Sequence, residues 1–424
     1  MANIMLQKHR KTLLPVYLKG LVSGKYTLKQ AAESTGYTTV HLCNLKKRYL
    51  AEGWACLEHK NKNNIPANKT PEDLRQKIAM IYASDFHDVN FAYFQKCLED
   101  VYKIKISWPT LKSILTEYGQ ISPEARKIKH KRPAKRYRIR RECEGDLIQI
   151  DGTPYPWFYK TGDKKRYCLM GAIDDATGKI TGLYMSTWEC LYGYMEMLRI
   201  TCQRYGVPRQ IYSDRAAIFC VTIKRDNGVT KFDQLAELHS ERTQWQRILR
   251  ELNIDQILAW SPEAKGRVER MWRTVQGQLP QWLYMRGIKT LKQANRHLME
   301  YADEFNKSYG KEPAVDDSFY QQPPANLDDI LQCRISRKTN SVGVFSFYGY
   351  KFDIPGCKYS ALRFIEICIS ERGVFALIDG LYYNIRCLDS DYIESVVNDG
   401  NEMPGVLLDI VHTYLFNYGK EVSI

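Results

Sequence analysis

No stretch of this chain approaches the roughly 18 consecutive apolar residues that a membrane-spanning helix needs. Its first twenty residues, MANIMLQKHRKTLLPVYLKG, contain no apolar core ahead of a small-residue cleavage site. A cytoplasmic protein with no membrane partner is therefore expected. The 12 cysteines, at 43, 56, 97, 143, 168, 190, 202, 220, 333, 357, 368 and 387, never come within ten residues of one another, so there is no CxxC pair. That spacing excludes a compact zinc knuckle and a redox dithiol, and points to reduced core cysteines. Internal repeats and long low-complexity runs are also lacking. Acidic residues are scarce in one region only: residues 1–141 hold 11 of them against 28 Lys and Arg, a surplus of 17. The whole chain holds 62 basic and 48 acidic residues, net +14, so the remainder, with 34 and 37, is close to neutral.

What is present is a sizeable apolar and aromatic complement. Hydrophobic residues make up 44%, with 8 Trp, 29 Tyr and 14 Phe, which excludes a disordered chain. A length of 424 residues has room for about three or four domains. A basic arm on a near-neutral body implies a polyanionic partner, nucleic acid first.

The arm reads as helical. In TLKQAAESTGYTTVHLCNLKKRYLAEG, a helix over 27–34 is followed by Gly36, where a tight turn needs a positive φ, and then by a second helix from Thr38, its N-cap, to Glu52. Val40, Leu42, Leu45, Tyr49 and Leu50 recur at helical spacing. The outline is a helix-turn-helix with Lys46, Lys47 and Arg48 as a DNA-facing basic group. Thr70-Pro71-Glu72-Asp73 opens a second helical set, with helices near 71–83, 90–100 and 108–118. Ser107 caps the last of these, which has the position of a second recognition helix; a plain three-helix bundle is the alternative. Residues 126–141, RKIKHKRPAKRYRIRR, hold ten basic residues, no acid, and a helix-breaking Pro133. Arg132, Lys135, Arg136, Arg138 and Arg140 are read there as a phosphate-tracking strap.

From Gly145 the texture changes. GDLIQIDGTPYPWF, KKRYCLMGAIDD and ITGLYMS read as a β-meander, with DATGK as a hairpin turn. Helix 189–205, strand RQIYSD, helix 232–253, strand QILAWSP and a helix over AKGRVERMWRTVQGQLPQWLY follow. The order βββαβαβα describes a mixed α/β core. A helix over 291–309 and a Pro-containing connector lead to β runs with Gly turns over 327–390, expected to form a small closed β-barrel or sandwich, ahead of a tail whose GVLLDIVHTYLFNYG fits a terminal helix. The expected chain is thus multidomain: helix-turn-helix 1–60, second helical DNA-binding domain 61–125, basic linker 126–144, core 145–310, connector 311–326, barrel 327–390, tail 391–424.

Two acids stand at matching points, Asp151 closing the first strand and Asp214 closing the fourth, where open α/β sheets place their functional groups. Glu269, on the first turns of the helix after strand five, is the third. There are 62 residues between Asp151 and Asp214 and 54 between Asp214 and Glu269. Three hard carboxylates suit Mg²⁺ or Mn²⁺, and two such ions about 3.5–4 Å apart can clamp the attacking and leaving oxygens of an in-line phosphoryl displacement. Lys265, Arg267, Arg270 and Arg273 surround Glu269, and are candidates to hold a DNA backbone near the metals. Asp174 and Asp175 lie in the DDATGK hairpin, where turn formation accounts for them. Glu263 is the rival third acid, and its place at a helix N-terminus accounts for it. Trp157 is read as buried packing in preference to base stacking.

Over QIDGTPYPWF, AIDDATGKITG, RYGVPRQIYSDRAAIF and AWSPEAKGRVER, residues 145–310 resemble the catalytic core of DDE transposases and integrases, and the wording is similar to insertion-sequence transposases of the ISNCY type. IYSDRAAIF and SPEAKGRVER are the most specific pieces. The resemblance implies an RNase H-like fold, catalytic and metal-binding roles for Asp151, Asp214 and Glu269, two divalent ions, double-stranded DNA (element ends and target) as partner, and a homo-multimer on DNA. The interval from Asp214 to Glu269 is longer than in the members that name the family; the extra length is placed in CVTIKRDNGVTKFDQ. The activity implied is metal-dependent strand cleavage and strand transfer. The alternatives are a non-catalytic DNA-binding regulator derived from such an enzyme, against which three intact acids speak, and an RNase H-like nuclease without strand transfer, against which the two helix-turn-helices and the expected barrel speak.

Overall fold

The computed structural model describes residues 13–57, 69–123, 140–220, 243–259, 266–358, 360–389, 395–398 and 401–416. Most of the basic strap, including Arg132, Lys135, Arg136 and Arg138, most of the 220–234 insertion, Glu263 and Lys265 lie outside them. The chain divides into two compact units, 1–78 and 79–424.

In the first unit, α1 (13–22), α2 (Leu28–Thr35) and α3 (Thr39–Glu52) pack around Leu14, Leu18, Leu21, Ala31, Leu42 and Leu45. Local chemistry sets the boundaries. Thr27 and Gln30 form a reciprocal capping box, Gly36 ends α2 at φ 71°, and the Thr38 side chain accepts from the His41 amide. The periodicity of α3 needs one correction: Leu42 and Leu45 are buried, but Val40 and Leu50 are 69% and 65% exposed. Successive residues turn by about 100° around a helix, which carries these two off the core-facing stripe.

The second unit begins within α4 (Glu72–Asp85) and continues through α5 (Phe91–Asp100) and α6 (Trp108–Glu117). Asn90 and Ser107 cap α5 and α6 as their sequence requires. Tyr82 and Phe86 both pack against Phe94, the first edge-on and the second tilted. Asp88, in the loop before α5, accepts from Tyr159 and Lys160, and Lys96 on α5 reaches Ser308 Oγ at 3.2 Å. These links tie the α5 segment to residues 159–160 and 308, further along the chain.

That sheet has the strand order β3-β2-β1-β4-β5, built from β1 (Ile148–Tyr155), β2 (Tyr167–Asp174), β3 (Ile180–Ser186), β4 (Gln210–Ser213) and β5 (Asp255–Leu258). The first three strands form the antiparallel meander; β4 and β5 run parallel to β1. Strand β2, between β3 and β1, reads as a continuous apolar run because both faces are covered. Cys168, Met170 and Ala172 meet α7 (Leu191–Arg204), while Leu169 and Ile173 join the cluster of α9 (Gly266–Gln276), α10 (Leu279–Met285) and α11 (Leu291–Tyr309). Helix α8 (Gln244–Glu251) lies between β4 and β5 in the chain. The single helix expected over 264–284 is two helices, broken at Gly277-Gln278 and restarted with Pro280 in its first turn. The connector passes the N-terminal ends of β1 and β4 through bridges Glu144–Ser318 and Val207–Gln321.

The expected C-terminal barrel is corrected. Strands β6 (Cys333–Lys338), β7 (Phe345–Phe347), β8 (Tyr350–Asp353), β9 (Phe364–Ser370), β10 (Gly373–Ile378), β11 (Leu381–Asn384) and β12 (Arg386–Cys387) form a four-stranded sheet, β11-β10-β9-β6, and a three-stranded sheet, β12-β8-β7, which stand as separate open sheets. Strands β6 and β11 remain edges of the first, and β7 and β12 of the second. A barrel must pair every edge, and among the described residues no ladder joins these. Arg334, Arg337 and Lys338 place charge on β6, which blunts that edge. The two sheets share one core with α7, α8 and the terminal helix Gly405–Val411. Among the described residues, no helix is long and apolar enough to cross a membrane.

Candidate active site

Along β1 the alternation of LIQIDGT separates two sets of side chains. Ile148 and Ile150 enter the core on the α7 side. Gln149, Asp151 and Thr153 point to the opposite face, where α9 lies. Asp151 does not end its strand as expected from sequence: β1 continues four residues beyond it, paired with β2 through Tyr155–Tyr167. What ends near Asp151 is the parallel ladder with β4, whose registered pairs are Ile148–Ile211 and Gln149–Tyr212. Two residues further along both strands stand Asp151 and Asp214, both partly exposed. Asp214 Oδ1 accepts from the Ala216 amide at 2.9 Å, which turns the chain away from β4 and keeps the carboxylate at the strand end.

Helix α9 is laid along β1 by three bonds in step. The Val268 amide donates to Gln149 Oε1 at 3.4 Å, Trp272 Nε1 to Asp151 Oδ2 at 3.0 Å, and Gln276 Nε2 to Thr153 Oγ1 at 2.9 Å. Four helical residues rise about 6 Å and two strand residues about 6.6 Å, so the periods match. The first turn is tied down more firmly. Arg267 donates to Asp175, whose carboxylate is fully buried and also accepts from Gln149 Nε2 at 2.7 Å and the Arg141 amide at 2.9 Å. Glu269 follows two residues later and is exposed, with Arg270 and Arg273 exposed on the same helix. Among the described residues, no three acidic, His or Cys side chains stand close enough to share an ion. Asp151 and Asp214 are set by register, and Glu269 is on the adjoining helix.

The hairpin acids divide. Asp174 makes the turn, accepting from the Thr177 amide and hydroxyl at 2.8 Å and from the Gly145 amide at 2.9 Å. Burial raises its carboxyl above the ordinary range against those bonds. Asp175 instead anchors α9, which local turn chemistry did not indicate. Of the expected DNA-binding cations, Arg267 is largely enclosed on Asp175, and Arg140 donates to the Ala176 carbonyl at 2.8 Å. Arg48 pairs with Glu52 at 3.5 Å; Lys47 is exposed and Lys46 partly so. Trp157 is buried, its N–H on the Tyr167 carbonyl.

Two residues near the acids had no signal in a local pattern. Trp272 was readable only as an aromatic three positions after Glu269. Glu189, between β3 and α7, stands against Gly152: a Cβ there would lie 3.0 Å from its carboxyl carbon. Glu189 Oε1 accepts from the Tyr194 phenol at 2.5 Å, and burial, followed by that carboxylate, pushes the phenol well above its ordinary range.

No protein-family model matches the chain. It is 30% identical over 334 residues to the transposase-family protein y4bF of Sinorhizobium fredii, covering 78% of this chain and 69% of that protein. It is 26% identical over 399 residues to the transposase for insertion sequence IS1202 of Streptococcus pneumoniae, covering 87% and 83%. Among solved structures, a chain of a simian T-cell lymphotropic virus intasome aligns over 72% of this chain and 95% of its own at 15% identity and TM-score 0.32. An HTLV-2 integrase catalytic core solved with magnesium aligns over 36% and 82% at 19% identity and TM-score 0.25. Both TM-scores are low, and the sequence relatives carry the comparison.

Proposed function

Because this chain belongs to the DDE-type insertion-sequence transposases, we propose that Asp151, Asp214 and Glu269 form its active site for DNA strand cleavage and strand transfer. The observation that carries the reading is the meeting of Asp151 and Asp214 where the β1–β4 ladder ends, with the Glu269 helix aligned along the same strand. The donor set is all carboxylate, which fits a hard divalent cation. Two bound Mg²⁺ or Mn²⁺ ions would neutralise charge at the attacking and leaving oxygens. Asp151 and Asp214 are held by the sheet, and Glu269, on the adjoining helix, would complete the set. Exposed Arg270 and Arg273, on the same helix, hold the phosphate backbone of the strand being cut. A 3′-hydroxyl or water then attacks in line, and the displaced oxygen leaves on the opposite side.

The first unit reads element ends through α3, with the basic strap tracking phosphates. Two ends must be processed together, so the working form is a homo-multimer on double-stranded DNA. The separate domain boundaries at 60, 125, 144, 310, 326 and 390 belong to this reading as well. The test is strand transfer on end-containing DNA with Mg²⁺ or Mn²⁺. Asp151→Asn, Asp214→Asn and Glu269→Gln should each abolish transfer while gel-shift affinity for the same DNA survives. Retained transfer in Glu269→Gln with loss in Glu263→Gln would move the third carboxylate. Binding without transfer in the unmodified protein would identify a regulator.

A further inference from the structure

We propose that Trp272 is a positioning residue of this site: its indole N–H holds Oδ2 of Asp151 and so fixes the carboxylate plane that a divalent cation meets. The inference rests on the reading of Asp151 as a metal ligand. The bond is 3.0 Å long and joins a donor-only group to a carboxylate, the combination that strengthens a hydrogen bond.

Three further observations point to this bond as a built feature. The first is space. Gly171 pairs with Asp151 across the β1–β2 ladder, and a Cβ at Gly171 would meet the far edge of the Trp272 ring at 2.6 Å and 3.2 Å. Only a residue without a side chain admits the indole at that depth. The second is rigidity. Trp272 is 5% exposed and packed in the cluster of Leu169, Leu183, Met185 and Val268, so the ring cannot swing away from Asp151. The third is contrast. Trp157 is also buried, and it gives its N–H to a backbone carbonyl, that of Tyr167 at 2.9 Å. The Trp272 N–H is instead aimed at a side-chain carboxylate at the end of the β1–β4 ladder. Trp272 also lies three residues after Glu269. One ring thus orients the first acid and seats the helix that presents the third.

The experiment is a calorimetric titration of the full chain with Mn²⁺, without DNA, alongside thermal melting. Trp272→Phe should weaken Mn²⁺ binding by about 10–100-fold, the usual loss when a residue holding a metal ligand is removed. Because Phe also leaves a gap, the indole is replaced in a second protein by the isosteric benzothiophene, which keeps the ring shape and deletes only the N–H. That protein should melt as the unmodified one does and still bind Mn²⁺ more weakly. Gly171→Ala should weaken binding alone and add little in the Trp272→Phe background, because the shorter ring leaves room for the methyl. Unchanged Mn²⁺ affinity in the benzothiophene protein, with binding lost in Asp151→Asn, would overturn the role of Trp272 alone. Unchanged affinity in Asp151→Asn would overturn the ligand reading, and this inference with it.

Discussion

Arg267→Met separates two roles for a cation two residues from Glu269. As a phosphate ligand, Arg267 would matter to DNA affinity and little to folding. The structure instead spends it on Asp175, with the two side chains 15% and 0% exposed. Removing one partner of a buried pair costs about 3–5 kcal/mol because a buried charge is left uncompensated. Asp175 would keep its bonds from Gln149 and the Arg141 amide, so the low end, about 3 kcal/mol, applies. In a unit of this size that is a fall in Tm on the order of 5 °C. Urea and thermal denaturation measure it. Adding Asp175→Asn should restore part of the loss, since no charge is then buried alone. Fluorescence anisotropy on end DNA across a salt series supplies the second readout. The salt slope should be unchanged in Arg267→Met, whereas Arg270→Ala or Arg273→Ala should flatten it by about 0.9 each. A stable Arg267→Met protein with a flattened slope would refute the assignment of Arg267 to the fold.

Other outcomes follow from named contacts. Asp88→Asn should lose about 1–3 kcal/mol at pH 7, because Asp88 accepts from both Lys160 and Tyr159. Burial opposes the charge, but those bonds hold the Asp88 carboxyl below its ordinary value. The stabilisation is therefore present above about pH 4 and vanishes as pH falls through the folded value, so urea midpoints of the two proteins should converge in acid. On α3, Asn44 and Lys47 are exposed four and seven residues after exposed Val40, opposite the Leu42–Leu45 core. Asn44→Ala should change discrimination at one base pair by about 1–3 kcal/mol, seen by competition with single-base variants of the end sequence. Lys47→Ala should weaken all sequences alike if it meets phosphate, and alter one position if it meets a base.

Elements governed by neighbours in the chain were legible without coordinates. Thr27, Thr38, Asn90, Ser107 and Thr290 open helices because a cap needs only the next three residues. The βββαβαβα order was legible because alternation, helical period and Gly turns are local. The positions of Asp151, Asp214 and Glu269 could be singled out for the same reason: each lies on or beside an element whose type is written locally. What those elements pair with is not local. The open C-terminal sheets were decided by which edges found a ladder, and β6 and β7 found none with each other. The continuation of β1 past Asp151 was decided by β2, the enclosure of Arg267 by an acid 92 residues away, and the hold on Asp151 by an indole 121 residues away. A side chain's type states which bonds it can make. Only the packing of strand against helix, matched at about 6 Å per step, states which one it makes.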